Sequence, residues 1–146
     1  RLRYHGPDPV RAEVAAMSEG RVLGVGGVFF RSGDPAGLGE WYARHLGFDI
    51  EALGESRGAS FSPADMPPSA FTVWGAFAGD TEYFGSRQQA YMINLVVDDL
   101  DAALENVAEG GGQVLEEREE HDYGRFGWFV DPDGNRVELW EPPGAE

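Results

Sequence analysis

Cysteine is absent from the chain, so disulfides, thiolate nucleophiles and thiolate metal sites are excluded together. Positive charge is scarce. Eleven Lys plus Arg stand against 26 Asp plus Glu, a formal charge of −15. A surface of that sign repels phosphate backbones and anionic headgroups, and no basic stripe offsets it. Neither nucleic acid nor membrane is therefore expected as a partner. Long apolar runs are missing too. None approaches the roughly eighteen residues of a membrane span, and the first residues hold no signal-peptide core, so a cytoplasmic location is expected. Apolar and aromatic residues, in contrast, make up 42% and 12% of the 146. That suffices for one domain with a packed core.

Residues 1–20 are polar and broken at Gly6, Pro7 and Pro9, which reads as an N-terminal extension. A single domain is expected over 21–146, in two parts of about 21–88 and 89–143. Val22 to Arg31 is strand-like, with β-branched and aromatic residues loosened by glycine. Asp34-Pro35 then predicts a helix start. Leu38, Trp41, Tyr42 and Leu46 give its apolar face, and Gly47 its stop. Phe48 to Leu53 and Ala70 to Phe77 read as further strands. The second part repeats this grammar. Tyr91 to Val97 is a strand, and Asp98-Asp99 open a helix with Leu100, Ala103, Leu104 and Val107 on one face. Gly110 to Gly112 end that helix. Gln113 to Glu117, Gly127 to Val130 and Arg136 to Trp140 are the remaining strands, the last two joined by a turn at Asp131-Pro132-Asp133-Gly134. The Asp-to-Gly spacing is the same in both parts, which a duplicated unit explains most simply.

Three segments carry a resemblance: GGVFFRSGDPAGLGEWYARHLGF, YMINLVVDDLDAALENVAEGGGQV and GRFGWFVDPDGNRVELWEP. Together they resemble the vicinal-oxygen-chelate superfamily, which includes glyoxalase I, bleomycin-resistance proteins and extradiol dioxygenases. The resemblance implies an α+β fold of two βαβββ modules whose strands form an open, cup-shaped mixed sheet around a pocket. It also implies a homodimer. It does not imply one function, because the fold hosts several chemistries.

Metal-using relatives place one ligand on each of four strands. The resemblance assigns those places to Gly27, to Thr72 or Trp74, to Met92 and to Glu138. Glycine offers no side chain, thioether sulfur is a poor ligand for hard or borderline cations, and the strand Ala70 to Phe77 holds no carboxylate. One ligand of four does not hold a catalytic metal, so neither a metal nor another cofactor is expected. His5 lies in the extension and His45 at the helix stop. His121 sits in an acidic run, where a shifted site with Asp122 and Glu138 is the remaining metal reading.

Strand alternation places Met92 and Asn94 on one face, and Arg136, Glu138 and Trp140 on one face of the last strand. Phe29, Trp74 and Trp128 are candidate pocket walls, though plain core is their ordinary role. Tyr123 and Arg125 lie in a glycine-flanked stretch that suits a rim or lid. Glu138 is the candidate catalytic residue. Desolvation disfavours the charged form of a carboxylate in a semi-apolar cup, which suits a general acid or base, or a partner for a ligand cation. The bland alternative is a structural salt bridge to Arg125 or Arg136. Two functions follow. The first is a protein that binds a small aromatic or cationic molecule, as drug-sequestering relatives do. The second is a lyase, isomerase or dioxygenase using Glu138 or a non-standard metal site.

Overall fold

A computed structural model describes residues 20–85 and 88–144. All of the proposed N-terminal extension except Gly20 lies outside the described residues.

Two helices form where the capping chemistry asks for them. Helix α1 spans Pro35–Leu46: Asp34 accepts a hydrogen bond from the Gly37 amide at 3.0 Å, and Gly47 ends the helix at φ 71°. That left-handed conformation suits glycine and lets the Phe48 amide reach the Tyr42 carbonyl at 3.2 Å. A hairpin of two three-residue strands follows, β1 (Glu51–Leu53) antiparallel to β2 (Ser56–Gly58). The later part of the chain supplies β3 (Ile93–Val96), α2 (Leu100–Glu109), β4 (Gln113–His121), β5 (Gly124–Val130) and β6 (Arg136–Glu141). Asp99 caps α2 by accepting from the Ala102 amide at 3.0 Å.

The main sheet has the order β3-β6-β5-β4, with β3 parallel to β6 and the other neighbours antiparallel. Helix α2 crosses between β3 and β4, so this part is a complete βαβββ unit. The fold is mixed α+β. Strand alternation divides the sheet into two chemical faces. Phe129, Val137 and Leu139 face the helices and pack with Leu38, Tyr42, Leu100, Leu104 and Val107. Phe126, Trp128 and Trp140 form a second cluster with Tyr83, Met92, Val96, Leu115 and Tyr123.

The earlier part departs from the sequence expectation. Val22 to Arg31 and Ala70 to Phe77 contain no regular strand. Their composition favours strands, but a strand persists only in a ladder, and glycines at 24, 26 and 27 raise the entropy cost of building one. Leu23 is 87% exposed and Phe29 96%, so neither side chain gains from burial. The strand expected from Phe48 begins only at Glu51, and β2 was not anticipated in its glycine-rich surroundings. Strand β4 runs four residues past Glu117, through a charged segment with little apolar signal.

One buried polar knot fixes the far end of the sheet. Asp131, 6% exposed, accepts from the Asp133 and Asn135 amides, the Asn135 side chain and the Tyr42 hydroxyl, at 2.9–3.1 Å. Burial first, and then the Asp131 charge, push the Tyr42 phenol well above its ordinary value of 10.0. The unfolded chain releases this proton near pH 10 while the native state retains it. Stability is therefore intact below about pH 10 and falls above it. Tyr42→Phe removes the titration, so its denaturant midpoint should fall less steeply than the parent's between about pH 10 and 11.

Candidate functional site

The cup face of the sheet concentrates its chemistry on neighbouring strands. Asn94 on β3 is in register with Glu138 on β6, and Glu138 with Trp128 on β5. All three side chains follow the parity of that face. Glu138 is 4% exposed, and its carboxylate is met by converging donors. Asn94 Nδ2 donates to Oε1 at 2.6 Å, Trp128 Nε1 donates to Oε2 at 3.0 Å, and the Tyr83 hydroxyl also donates to Oε2. A desolvated carboxylate needs such donors. Here they fix both of its oxygens.

Aromatic rings surround the acid. Trp140 stacks on Phe126 with centroids 6.0 Å apart and an interplanar angle of 2°, and its indole N–H donates to the Tyr123 carbonyl at 2.8 Å. This packing leaves no room for a side chain at Gly124, where a Cβ would come within 2.5 Å of Trp140 Nε1. Tyr83 stacks on Phe77 at 5.5 Å and meets the Trp128 ring edge-on at 6.2 Å. Phe71 lies edge-on to Trp140 at 5.0 Å. Above them opens a groove of about 2540 Å³, larger than the roughly 300–1,000 Å³ of an ordinary small-molecule pocket. Tyr91 lies on this lining, its phenol shifted upward by burial first and by the Asp131 charge second.

The sequence candidates fall into three groups. Phe29, Trp74, Met92, Asn94, Tyr123, Glu138 and Trp140 all line the groove. Phe29 and Trp74 do so from the segments outside the sheet, with 96% and 81% of their surface exposed. Trp128 is buried beneath the lining at 1% exposure, where it supports Glu138. Arg125 points to the opposite sheet face. Its guanidinium lies 3.1 Å from Asp101, 3.6 Å from Glu141 and 3.9 Å from Glu120. Arg136 carries its charge over the Trp128 ring, 5.6 Å from the centroid.

Tyr83 belongs to the site although it is not among the sequence candidates. Its hydroxyl reaches an acid 55 positions away, and no local pattern announces such a contact. Gln89 was missed for the same reason. Its side-chain amide accepts from the Arg136 amide at 2.8 Å and donates to the Arg136 carbonyl at 2.9 Å, pinning the start of β6.

The residues do not fit a divalent metal. Among the described residues no group of three or more His, Asp or Glu is arranged to hold one. Around Glu138 the converging atoms are N–H and O–H donors, which present hydrogens where a cation needs lone pairs. His121 stacks on Tyr123 at 4.8 Å and bonds Glu119 at 2.8 Å, and His45 packs on Trp41 at 5.3 Å. His5 lies outside the described residues. No described helix is long and apolar enough to cross a membrane.

The chain is similar to several solved structures. TnmS3, an antibiotic binding protein from Streptomyces sp. CB03234, aligns at TM-score 0.50 and 21% identity, over 83% of this chain and 97% of its own. A member of the glyoxalase/bleomycin resistance protein/dioxygenase superfamily from Sphaerobacter thermophilus aligns at 0.47 and 23%, over 83% and 98%. A glyoxalase-related enzyme from Fulvimarina pelagi aligns at 0.48 and 17%, over 84% and 90%. No curated protein matches the sequence. The model of the glyoxalase-like domain matches residues 27–140, most of the chain and all of the sheet but its last residue. The chain belongs to the glyoxalase-like domain family.

Proposed function

We propose that this protein binds a small organic molecule, aromatic or cationic, in the groove above Glu138 without the help of a metal ion. The observation that carries the reading is the buried carboxylate, oriented by Asn94, Trp128 and Tyr83 among stacked rings. An apolar lining with a few fixed polar groups is the ordinary make-up of a small-molecule site. The structural likeness to an antibiotic binding protein supports drug sequestration as its use. The net charge of −15 favours approach of cationic molecules. We read it as a cytoplasmic homodimer; the dimer rests on Leu23, Phe29 and Trp74, which present apolar surface that a second copy would cover.

Native mass spectrometry of protein purified from its source is expected to show two subunits and a retained organic ligand, with no stoichiometric metal. Stoichiometric metal whose chelation releases the ligand would overturn the reading. Glu138→Gln puts an amide N–H against donors that need an acceptor. It should weaken that ligand by about tenfold or more in calorimetric titration. If binding survives in Glu138→Gln while a turnover present in the parent disappears, the acid is catalytic instead.

A further inference from the structure

Glu138 is already engaged by a hydroxyl-bearing ring from the protein itself. The Tyr83 ring stacks on Phe77 with an interplanar angle of 13°, presents itself at 87° to Trp128, and points its O–H at Glu138 Oε2. From this we infer that the site selects a neutral, planar, hydroxyl-bearing aromatic molecule, a phenol, which takes the place of the Tyr83 side chain on the acid. The inference rests on the binding reading above and narrows it from aromatic or cationic to one class.

Three observations favour a phenol over an ammonium ion. Oε1 accepts from Asn94 and Oε2 from Trp128, so the position held by Tyr83 suits one further donor. A phenol brings one O–H, whereas an ammonium brings three N–H groups that each want an acceptor. The surroundings of that position are ring faces and edges, namely Phe77 and Trp128, which reward a flat partner. The Arg136 guanidinium, 5.6 Å from the Trp128 centroid, already brings positive charge to this corner and repels a second cation. Tyr83 is half-buried and belongs to no helix or strand. Moving its side chain aside breaks no ladder.

Tyr83 and the ligand then compete for one oxygen, and three probes with the same ring system test this: 2-naphthol, 2-methoxynaphthalene and protonated 2-naphthylmethylamine. Each is titrated into the full chain and into Tyr83→Phe, following tryptophan fluorescence. On the parent, 2-naphthol is expected to bind about tenfold tighter than the methoxy compound, which cannot donate. In Tyr83→Phe the affinities of both should rise severalfold, because each displaces the Tyr83 side chain from Glu138, and the preference for 2-naphthol should persist. Tighter binding of the amine than of 2-naphthol on the parent would overturn the proposal, as would equal binding of all three. So would a Tyr83→Phe variant, folded by near-UV circular dichroism, with unchanged or weaker naphthol affinity. In these cases the groove still binds aromatics, and only the assignment of class is lost. Failure of all three probes to bind removes the parent reading as well.

Discussion

Trp128→Ala should lose about 4 kcal/mol of folding stability, seen as a large fall in the denaturant midpoint. Trp128 is 1% exposed and among the largest fully buried side chains. Truncating it leaves a cavity beside the stacked Phe126 and Trp140 rings, which cannot fill it without leaving that geometry. Two polar effects add to the cavity. Glu138 Oε2 loses the indole N–H, and Arg136 loses the ring beneath its guanidinium. Trp128→Phe separates these contributions, since it retains an aromatic ring but no donor. A loss of about 1–2 kcal/mol is expected there. A Phe variant as damaged as the Ala variant would show that the hydrogen bond to Glu138, and not packing, dominates at this position.

Asp131→Ala comes second, with an expected loss of about 3 kcal/mol, or about 10 °C in thermal midpoint for a domain of this size. The substitution deprives four donors of their acceptor at once: the Tyr42 hydroxyl, the Asp133 and Asn135 amides and the Asn135 side chain. Tyr42 is 8% exposed, so water does not readily replace the lost partner. Asp131→Asn retains one acceptor oxygen and should lose less. Equal losses in the two variants would mean that the turn depends on the negative charge and not on the count of acceptors.

The legible parts of this fold are those decided locally. Asp34 and Asp99 cap helices that begin at the next residue, and Gly47 stops α1 in the left-handed conformation that a side chain disfavours. The apolar face read for α2, Leu100 with Ala103, Leu104 and Val107, is the buried face. The turn at Asp131 was equally plain, and alternation put Met92 with Asn94 and Glu138 with Trp140 on single strand faces, which the parallel pairing of β3 with β6 brings together. What could not be read depends on partners. Val22 to Arg31 and Ala70 to Phe77 have the composition of strands, yet ladder pairing is a long-range property that composition does not encode. Strand β4 hid its length in Glu116 to Glu120, charged residues of a sheet edge, where charge is tolerated. Arg125 was grouped with a pocket rim because the stretch before Trp128 reads as a loop. Continuing β5 back to Gly124 puts it on the helix side by parity alone. Tyr83 is the opposite case, because only the folded chain brings its hydroxyl to the acid.

The knot at Asp131 also governs something that no contact with the groove reveals. Side chains along β6 alternate between an oily interior and the open cavity, so the acid sits between Val137 and Leu139, which both point the other way. A shift of β6 by a single position against β5 would drive that charge under the helices and present an aliphatic chain to any visitor. The corner that sets this phase begins at Asp131, five residues before β6 closes on β5 at Arg136, and it is tied to α1 through Tyr42. Recognition in the cavity is thus inherited from a corner that never touches a guest, and damage to that corner would reverse the polarity of the floor before it emptied the cavity.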